Sequence, residues 1–227
     1  NFYRQTGDMA RAHEMALQSL SDLRAQQAAA LAYFDIFWVA AMLAAAFASN
    51  NIEEIIETGL AEVPAASRLA CAVRRIVDAW RRNRSWKRTL AVLERHHGKR
   101  LLHEGHAVNN AAVVAIGLLE GGRDFERGIT RTVMCGYDAD CNGATVGSIL
   151  GLLHGVEAIP EKWTRPFKDN LFTSIAGFNQ VAISGMAERS LRLAVEALLR
   201  PPALADVVCN ELRPAREWTY FWEMPRY

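Results

Sequence analysis

The segment from residue 136 to residue 148 reads Gly-Tyr-Asp-Ala-Asp-Cys-Asn-Gly-Ala-Thr-Val-Gly-Ser and places two acids, Asp138 and Asp140, two residues apart. A glycine opens the segment, and the residues that follow it are typical of an apolar helix. Two carboxylates in one turn can point to a common position and share a hard cation such as Mg²⁺ or Ca²⁺. The segment therefore predicts a divalent cation site at the start of a helix.

Glycine recurs at every fourth position after the acidic pair, at Gly143, Gly147, Gly151 and Gly155. Because glycine costs roughly 1 kcal/mol in a helix interior relative to alanine, this stripe needs a packing or ligand explanation. A face without side chains allows another backbone to approach closely. We therefore expect a central, buried helix that begins near residue 142. Beside this stripe, an N-cap residue followed by a solvated acid is the weaker interpretation of the acidic pair.

The same residues partly match the calcium loop of an EF-hand, which has acids at positions one, three and five and glycine at six. Asp138, Asp140, Asn142 and Gly143 fit these positions. Position twelve should be a bidentate glutamate, and it is Ile149. The pattern excludes an EF-hand.

Composition excludes several classes of protein. The chain has 227 residues, of which 51% are hydrophobic and 22% charged, as in ordinary globular proteins. A net charge of +1 indicates no strong attraction to nucleic acid or to an anionic membrane. The cysteines lack metal-site spacing, so we expect free thiols in a reducing, cytoplasmic compartment. They are Cys71, Cys135, Cys141 and Cys209.

The rest of the chain reads as helices without strand alternation, internal repeats or a linker. An apolar run over residues 32–48 contains Asp35 and is too short and polar for a membrane span, so we expect a fully buried helix. Residues 1–227 are therefore predicted to form a single compact all-α domain. An aromatic tail follows residue 217 and either folds back or covers a partner. The other predicted helices cover residues 8–30, 52–60, 67–82, 85–96, 111–119, 124–134 and 185–199.

His106, Asn109 and Asn110 stand directly before the apolar helix predicted from residue 111. Polar side chains at this position can cap the helix, or they can line a pocket, because asparagine offers both a donor and an acceptor. Both alternatives remain open from the residues alone.

The order of motifs from residue 106 to residue 163 resembles the C-terminal half of the ADP-ribosylglycohydrolase family, of the dinitrogenase-reductase-activating type. The matching elements are His-Ala-Val-Asn-Asn-Ala-Ala from His106, Met-Cys-Gly from Met134, and Asp-Ala-Asp-Cys-Asn-Gly-Ala-Thr-Val-Gly from Asp138. They end with Ile-Pro-x-x-Trp, which finishes at Trp163. Residues 37–68 match more loosely.

The resemblance implies a helical enzyme with two adjacent cations, Mg²⁺ or Mn²⁺, that hydrolyses the bond between ADP-ribose and an acceptor. It implies that Asp138 and Asp140 are catalytic and bind metal, with Cys141 as a poorer ligand where the family commonly has threonine. The expected partner is ADP-ribose or an ADP-ribosylated substrate, without nucleic acid or membrane. The implied substrate-binding residues are His106, Asn109, Asn110, Gly136, Tyr137, Asn142 and Gly143.

The family's other metal ligands, in a Gly-Asp segment and a Ser/Thr-Asp-Asp triplet, do not occur in this sequence. We therefore expect that the family's N-terminal portion is lacking, that an N-terminal segment or second chain completes the site, and that the chain alone is slow or inactive. Activity of the chain alone would require another acid, such as Asp35 or Glu57. The alternatives are a non-catalytic relative, which binds ADP-ribose or a nucleotide or serves as a helical interaction domain, and a hydrolase of another N-glycoside.

Overall fold

The structure, a computed structural model, describes residues 8–98 and 102–199. The chain divides into two compact units, residues 1–161 and residues 162–227. Helices dominate the described residues of both units, which confirms the predicted all-α class. The single domain over the whole chain stays a prediction, and the aromatic tail lies outside the described residues.

The described part of the first unit consists of helices joined by short connections. Side chains of Asp8, Asn51, Ser67 and Asp124 accept backbone hydrogen bonds at four helix starts, as expected of N-cap residues. A 3₁₀ turn, Val156–Ala158, follows the helix that ends at His154. The helices are α1 (Met9–Ala46), α2 (Ile52–Ala61), α3 (Arg68–Asn83), α4 (Trp86–His97), α5 (Ala107–Gly121), α6 (Phe125–Met134) and α7 (Ala139–His154).

Helix α5 is the centre of the first unit. Every residue from Val108 to Gly121 is buried. The helix packs against each of α1, α2, α3, α4, α6 and α7. A helix that is apolar all round is expected to be enclosed in this way. It also begins earlier than predicted, since His106 and not Asn110 precedes its first turn.

Helix α1 joins two segments that the sequence divided at residue 31, and only one face of its apolar run is buried. Trp38, Met42 and Ala46 point inward at helical spacing, whereas Tyr33 and Phe37 are exposed. The prediction of a fully buried helix over residues 32–48 was therefore wrong, because α1 lies at the edge of the unit. No helix among the described residues is long and apolar enough to cross a membrane.

The glycine stripe of α7 faces α6, but the predicted close approach of another backbone does not occur there. A Cβ atom added at Gly143 or Gly147 would meet side-chain atoms of α6 at 3.5 Å and 3.4 Å, and no backbone atom. Gly155 has φ +75° and ends the helix. The close backbone approach instead involves α5 and α6, where a Cβ at Gly121 would lie 2.8 Å from Gly128 Cα.

The second unit, as far as it is described, has little regular structure before its final helix. It contains most of α8 (Glu161–Thr164), a 3₁₀ turn (Arg165–Phe167) and two short strands, β1 (Asn170–Phe172) and β2 (Gln180–Ala182). The strands pair antiparallel, with Leu171 opposite Val181. Three-residue strands are too short to show alternation, so the sequence did not reveal them. Helix α9 (Ile183–Leu199) follows, close to its predicted bounds.

We predict that Gly117→Ala destabilises the protein by about 1–3 kcal/mol, because overpacking in a dense core forces neighbours apart. The new Cβ would overlap Thr132 Oγ1, which donates a 2.7 Å hydrogen bond to Gly128 O. Gly147→Ala is the matched control, with its nearest atom at 3.4 Å, and its effect should be neutral or stabilising by up to about 1 kcal/mol. Urea denaturation measures both, and equal effects would contradict this account of the packing.

Candidate functional site

Asp138 occupies the N-cap position of α7 without acting as a cap. Its φ and ψ are −67° and 79°, and its side chain makes no capping hydrogen bond to the helix backbone. A capping aspartate normally accepts from the second or third N–H of the helix. The carboxylate instead lies beside the side chains of Asp140 and Cys141 in the first turn of the helix.

Asp138, Asp140 and Cys141 form a compact group. One ligand atom from each residue lies within 4.8 Å of the others. The side chain of Asp138, followed by the backbone N–H groups of Asp140 and Cys141, holds the pKa of Asp140 below its ordinary value. Asp138 also raises the pKa of the Cys141 thiol. Two carboxylates this close can share one cation.

This donor set fits a hard divalent cation. The two carboxylates supply oxygen ligands, which Mg²⁺ and Mn²⁺ prefer. Cys141 would contribute little, because a neighbouring carboxylate favours its neutral thiol form and the thiolate is the form that binds metal. The helix N-terminus behind Asp140 supplies positive partial charge that keeps the carboxylate ionised.

The side chain of Asn110 joins the start of α5 to the start of α7. Its Oδ1 accepts from Asn142 Nδ2 at 2.7 Å and from Asp138 N at 3.3 Å. Its Nδ2 donates to Glu104 O at 2.9 Å. One buried amide thus fixes the Asp138 backbone, the Asn142 side chain and the loop before α5.

The loop over residues 103–106 is held by the neighbouring polar side chains. Asn109, with no exposed surface, donates from Nδ2 to His103 O at 2.9 Å. Among the described residues no group donates to its Oδ1. Burial, and then the Arg68 charge, lowers the pKa of His106. Its imidazole Nδ1 accepts from Val108 N at 3.2 Å and caps α5.

A pocket of about 270 Å³ lies beside Asp138, between α1, α5 and α7. Among the described lining residues the ionisable groups are two carboxyls and a thiol, and none is basic. Such a lining favours a cation. The lining residues are Ala32, Asp35, Ile36, Val39, Gly105, Ala107, Asn110, Val114, Asp138, Cys141, Asn142 and Thr145.

The structure brings Asp35 into this pocket from α1. In the sequence, Asp35 stands out as an acid inside an apolar run. The sequence predicted it only as one acid that activity of the chain alone would require. It is half-buried, and burial raises the pKa of its carboxyl group. Glu57, the other acid named for this purpose, is exposed on α2 and is absent from the lining.

The remaining predicted substrate residues have other positions. Tyr137 is buried, and its hydroxyl donates to Glu94 Oε1 on α4 at 2.7 Å. Gly136 has φ +72°, which favours glycine in the turn between α6 and α7. Gly143 faces Val133 on α6. These residues are not among those that line the pocket, nor are His106 and Asn109, whereas Asn110 and Asn142 are.

A family model described as ADP-ribosylglycohydrolase matches residues 6–199. This match covers α1 to α9, including every pocket residue. No curated protein and no solved structure matches the chain significantly.

We predict that Asn110→Ala destabilises the protein by about 2–3 kcal/mol, because it leaves buried hydrogen-bonding groups without partners. Asn83→Ala is the matched control, since that side chain donates only to Ala79 O on its own helix. It should cost less than about 1 kcal/mol. Chemical denaturation tests both variants, and a loss for Asn110→Ala no larger than for the control would show that the junction is not structural.

We also predict that stability falls as pH rises above the ordinary aspartate pKa of 3.8, through the raised pKa of Asp35 in the folded state. The folded protein binds this proton more tightly than the unfolded chain, so the stabilisation is present at lower pH and lost at higher pH. Asp35→Asn should remove this loss and be more stable than wild type at neutral pH.

Denaturation of both proteins from about pH 4 to about pH 8 measures this difference. Asp22→Asn is the control, because Asp22 lies on the same helix and is exposed. Identical pH dependence of wild type and Asp35→Asn would contradict the assignment.

Proposed function

Because the chain belongs to the ADP-ribosylglycohydrolase family, we propose that it hydrolyses the glycosidic bond between ADP-ribose and an acceptor with the help of a divalent cation. The family resemblance read from the motifs is confirmed by this membership, which indicates glycosyl hydrolase chemistry. The observation that carries the finer proposal is the Asp138 carboxylate, which leaves its helix uncapped and lies in a pocket whose described lining residues include no basic one.

Asp138 and Asp140 would hold the cation, which we propose to be Mg²⁺ or Mn²⁺. Their oxygen atoms are hard ligands at the start of one helix, and Asp140 favours its ionised form. Bound there, the cation would orient ribose hydroxyls and lower the pKa of a water molecule. Asn110 fixes the backbone of Asp138 and so limits its movement.

Other lining residues would orient the sugar and limit access of bulk water. Asn142 donates from Nδ2 to Asn110, and no described residue donates to its Oδ1, which is therefore suited to accept from a substrate hydroxyl. Val39 and Val114 form an apolar part of the lining, whereas Ile36 is exposed. Such a boundary strengthens the polar interactions in the pocket, because it lowers the local dielectric.

The direct test is release of ADP-ribose from ADP-ribosylated arginine and serine peptides, with saturating Mg²⁺ or Mn²⁺ and with a chelator. Because Asp35 lines the pocket and supplies the further acid that activity of the chain alone requires, we expect release that stops when the cation is removed. Release that continues in the chelator would contradict cation dependence. Binding of ADP-ribose without release from either peptide would favour a non-catalytic relative of the family.

We further predict that Asp140→Asn weakens Mn²⁺ binding by on the order of tenfold or more, since even changes behind a metal ligand cost about 10- to 100-fold. Asp78→Asn is the control, because Asp78 is an exposed acid on α3 and outside the pocket. Titration calorimetry compares both variants with wild type. Unchanged affinity in Asp140→Asn would exclude Asp140 as a ligand.

A further inference from the structure

The cation site leaves one carboxyl group of the pocket without a role. Asp35 lines the pocket together with Asp138 but comes from a different helix, α1. Its ligand atoms do not belong to the group that lies within 4.8 Å around Asp138. Asp35 is therefore a separate carboxyl group in the same cavity.

The carboxyl group of Asp35 and those of the proposed cation site have different surroundings. Around Asp35 on α1 the lining residues are Ala32, Ile36 and Val39, and no described residue donates a hydrogen bond to its carboxyl group. Asp140 is exposed, lies outside the lining and belongs with Asp138 to the proposed cation site. A half-buried carboxyl without donors favours its neutral form, whereas a solvated and hydrogen-bonded one favours its anion.

Hydrolysis of a glycosidic bond commonly uses two carboxyl groups in such opposite environments, one that keeps its proton and one that stays ionised. The surroundings of each carboxyl group decide which of the two roles it has. The protonated group gives its proton to the leaving atom, and the ionised side stabilises positive charge or assists water.

We propose that Asp35 is the proton donor of the cleavage proposed above, and that its carboxyl group protonates the acceptor atom that leaves the ribose. This inference rests on the proposed function. As the bond from C1 of the ribose to the acceptor atom breaks, its electron pair passes to that atom, which takes the Asp35 proton. The oxygen of water bonds to C1, and the proton released from that water restores Asp35, so that the products are free ADP-ribose and the protonated acceptor.

The groups that face Asp35 are consistent with a retained proton. From α7 and its N-cap these are Asp138, which is acidic, and Cys141. The α5 side contributes Gly105, Ala107, Asn110 and Val114, which do not titrate. Among the described lining residues no basic group favours ionisation of Asp35, and burial raises its pKa.

The test compares two substrates of the protein with bound Mg²⁺, one with a poor and one with a good leaving group. In ADP-ribosylated serine peptide the leaving alkoxide needs a proton, whereas in 4-nitrophenyl ADP-ribose the leaving phenolate does not. Asp35→Asn should lower kcat/KM for the serine peptide by about 10²- to 10⁴-fold, the usual contribution of a general acid. The loss for the nitrophenyl substrate should stay below about tenfold, because little protonation is needed.

Asp35→Glu should restore part of the serine-peptide activity, and Asp22→Asn should behave as wild type. Loss of the basic limb of the pH profile in Asp35→Asn would agree with a proton donor. Equal losses on both substrates, or no loss on the peptide, would overturn the role of Asp35 alone. A wild-type protein that hydrolyses neither substrate would contradict the proposed function and overturn this inference with it.

A measurement without substrate separates the two claims further. Carbon NMR of the protein labelled at aspartate carboxyl carbons should show one signal that titrates above the ordinary value of 3.8 and disappears in Asp35→Asn. A signal assigned to Asp35 that titrates at or below that value would overturn the proposal, whether or not the protein is active.

Discussion

The geometry of the pocket depends on the hydrogen bonds of one buried amide, that of Asn110. Its oxygen accepts from Asn142 and from the backbone of Asp138, and its nitrogen donates to Glu104 O. A buried amide with both ends satisfied stabilises one arrangement and penalises others, because each lost partner leaves a polar group unpaired. These hydrogen bonds hold the starts of α5 and α7 and the loop before α5 in one arrangement. The hydrogen bond from Asp138 N to Asn110 Oδ1 therefore fixes the position of Asp138.

The packing around α5 makes that junction possible. Gly121 and Gly128 allow α5 and α6 to approach closely, and Gly117 leaves room for Thr132. Helix α1 packs against α5 and α7 and contributes Asp35 to the pocket. The residues that line the cavity therefore come from segments that are distant in sequence. Asp35 and Asp138 differ in surroundings, because Asp35 lies beside apolar lining residues of α1, whereas Asp138 lies beside Asp140 and Cys141 at the start of α7.

The helical class and most helix bounds could be predicted, because the helical spacing of apolar residues is a local signal. The acidic pair was visible for the same reason. The role of Asn110 as a junction and of Tyr137 as a partner of Glu94 was not, because such contacts join segments far apart in sequence. The glycine stripe misled for a related reason, since spacing shows which residues share a face but not what packs against it. Asp35 carried a local signal, because it is an acid in an apolar run. Its position in the same pocket as Asp138 depends on the packing of α1 against α7, which the sequence does not show.

The proposed divalent cation site consists of the uncapped carboxylate of Asp138 and its neighbour Asp140, and it opens onto the pocket that Asp35 also lines. Anomalous diffraction from crystals soaked with Mn²⁺ locates such an ion directly. The account predicts a peak within about 2.0–2.3 Å of carboxylate oxygens of both Asp138 and Asp140, on the side that faces the pocket. A Mn²⁺ peak elsewhere in the protein, with none at these two carboxylates, would contradict it.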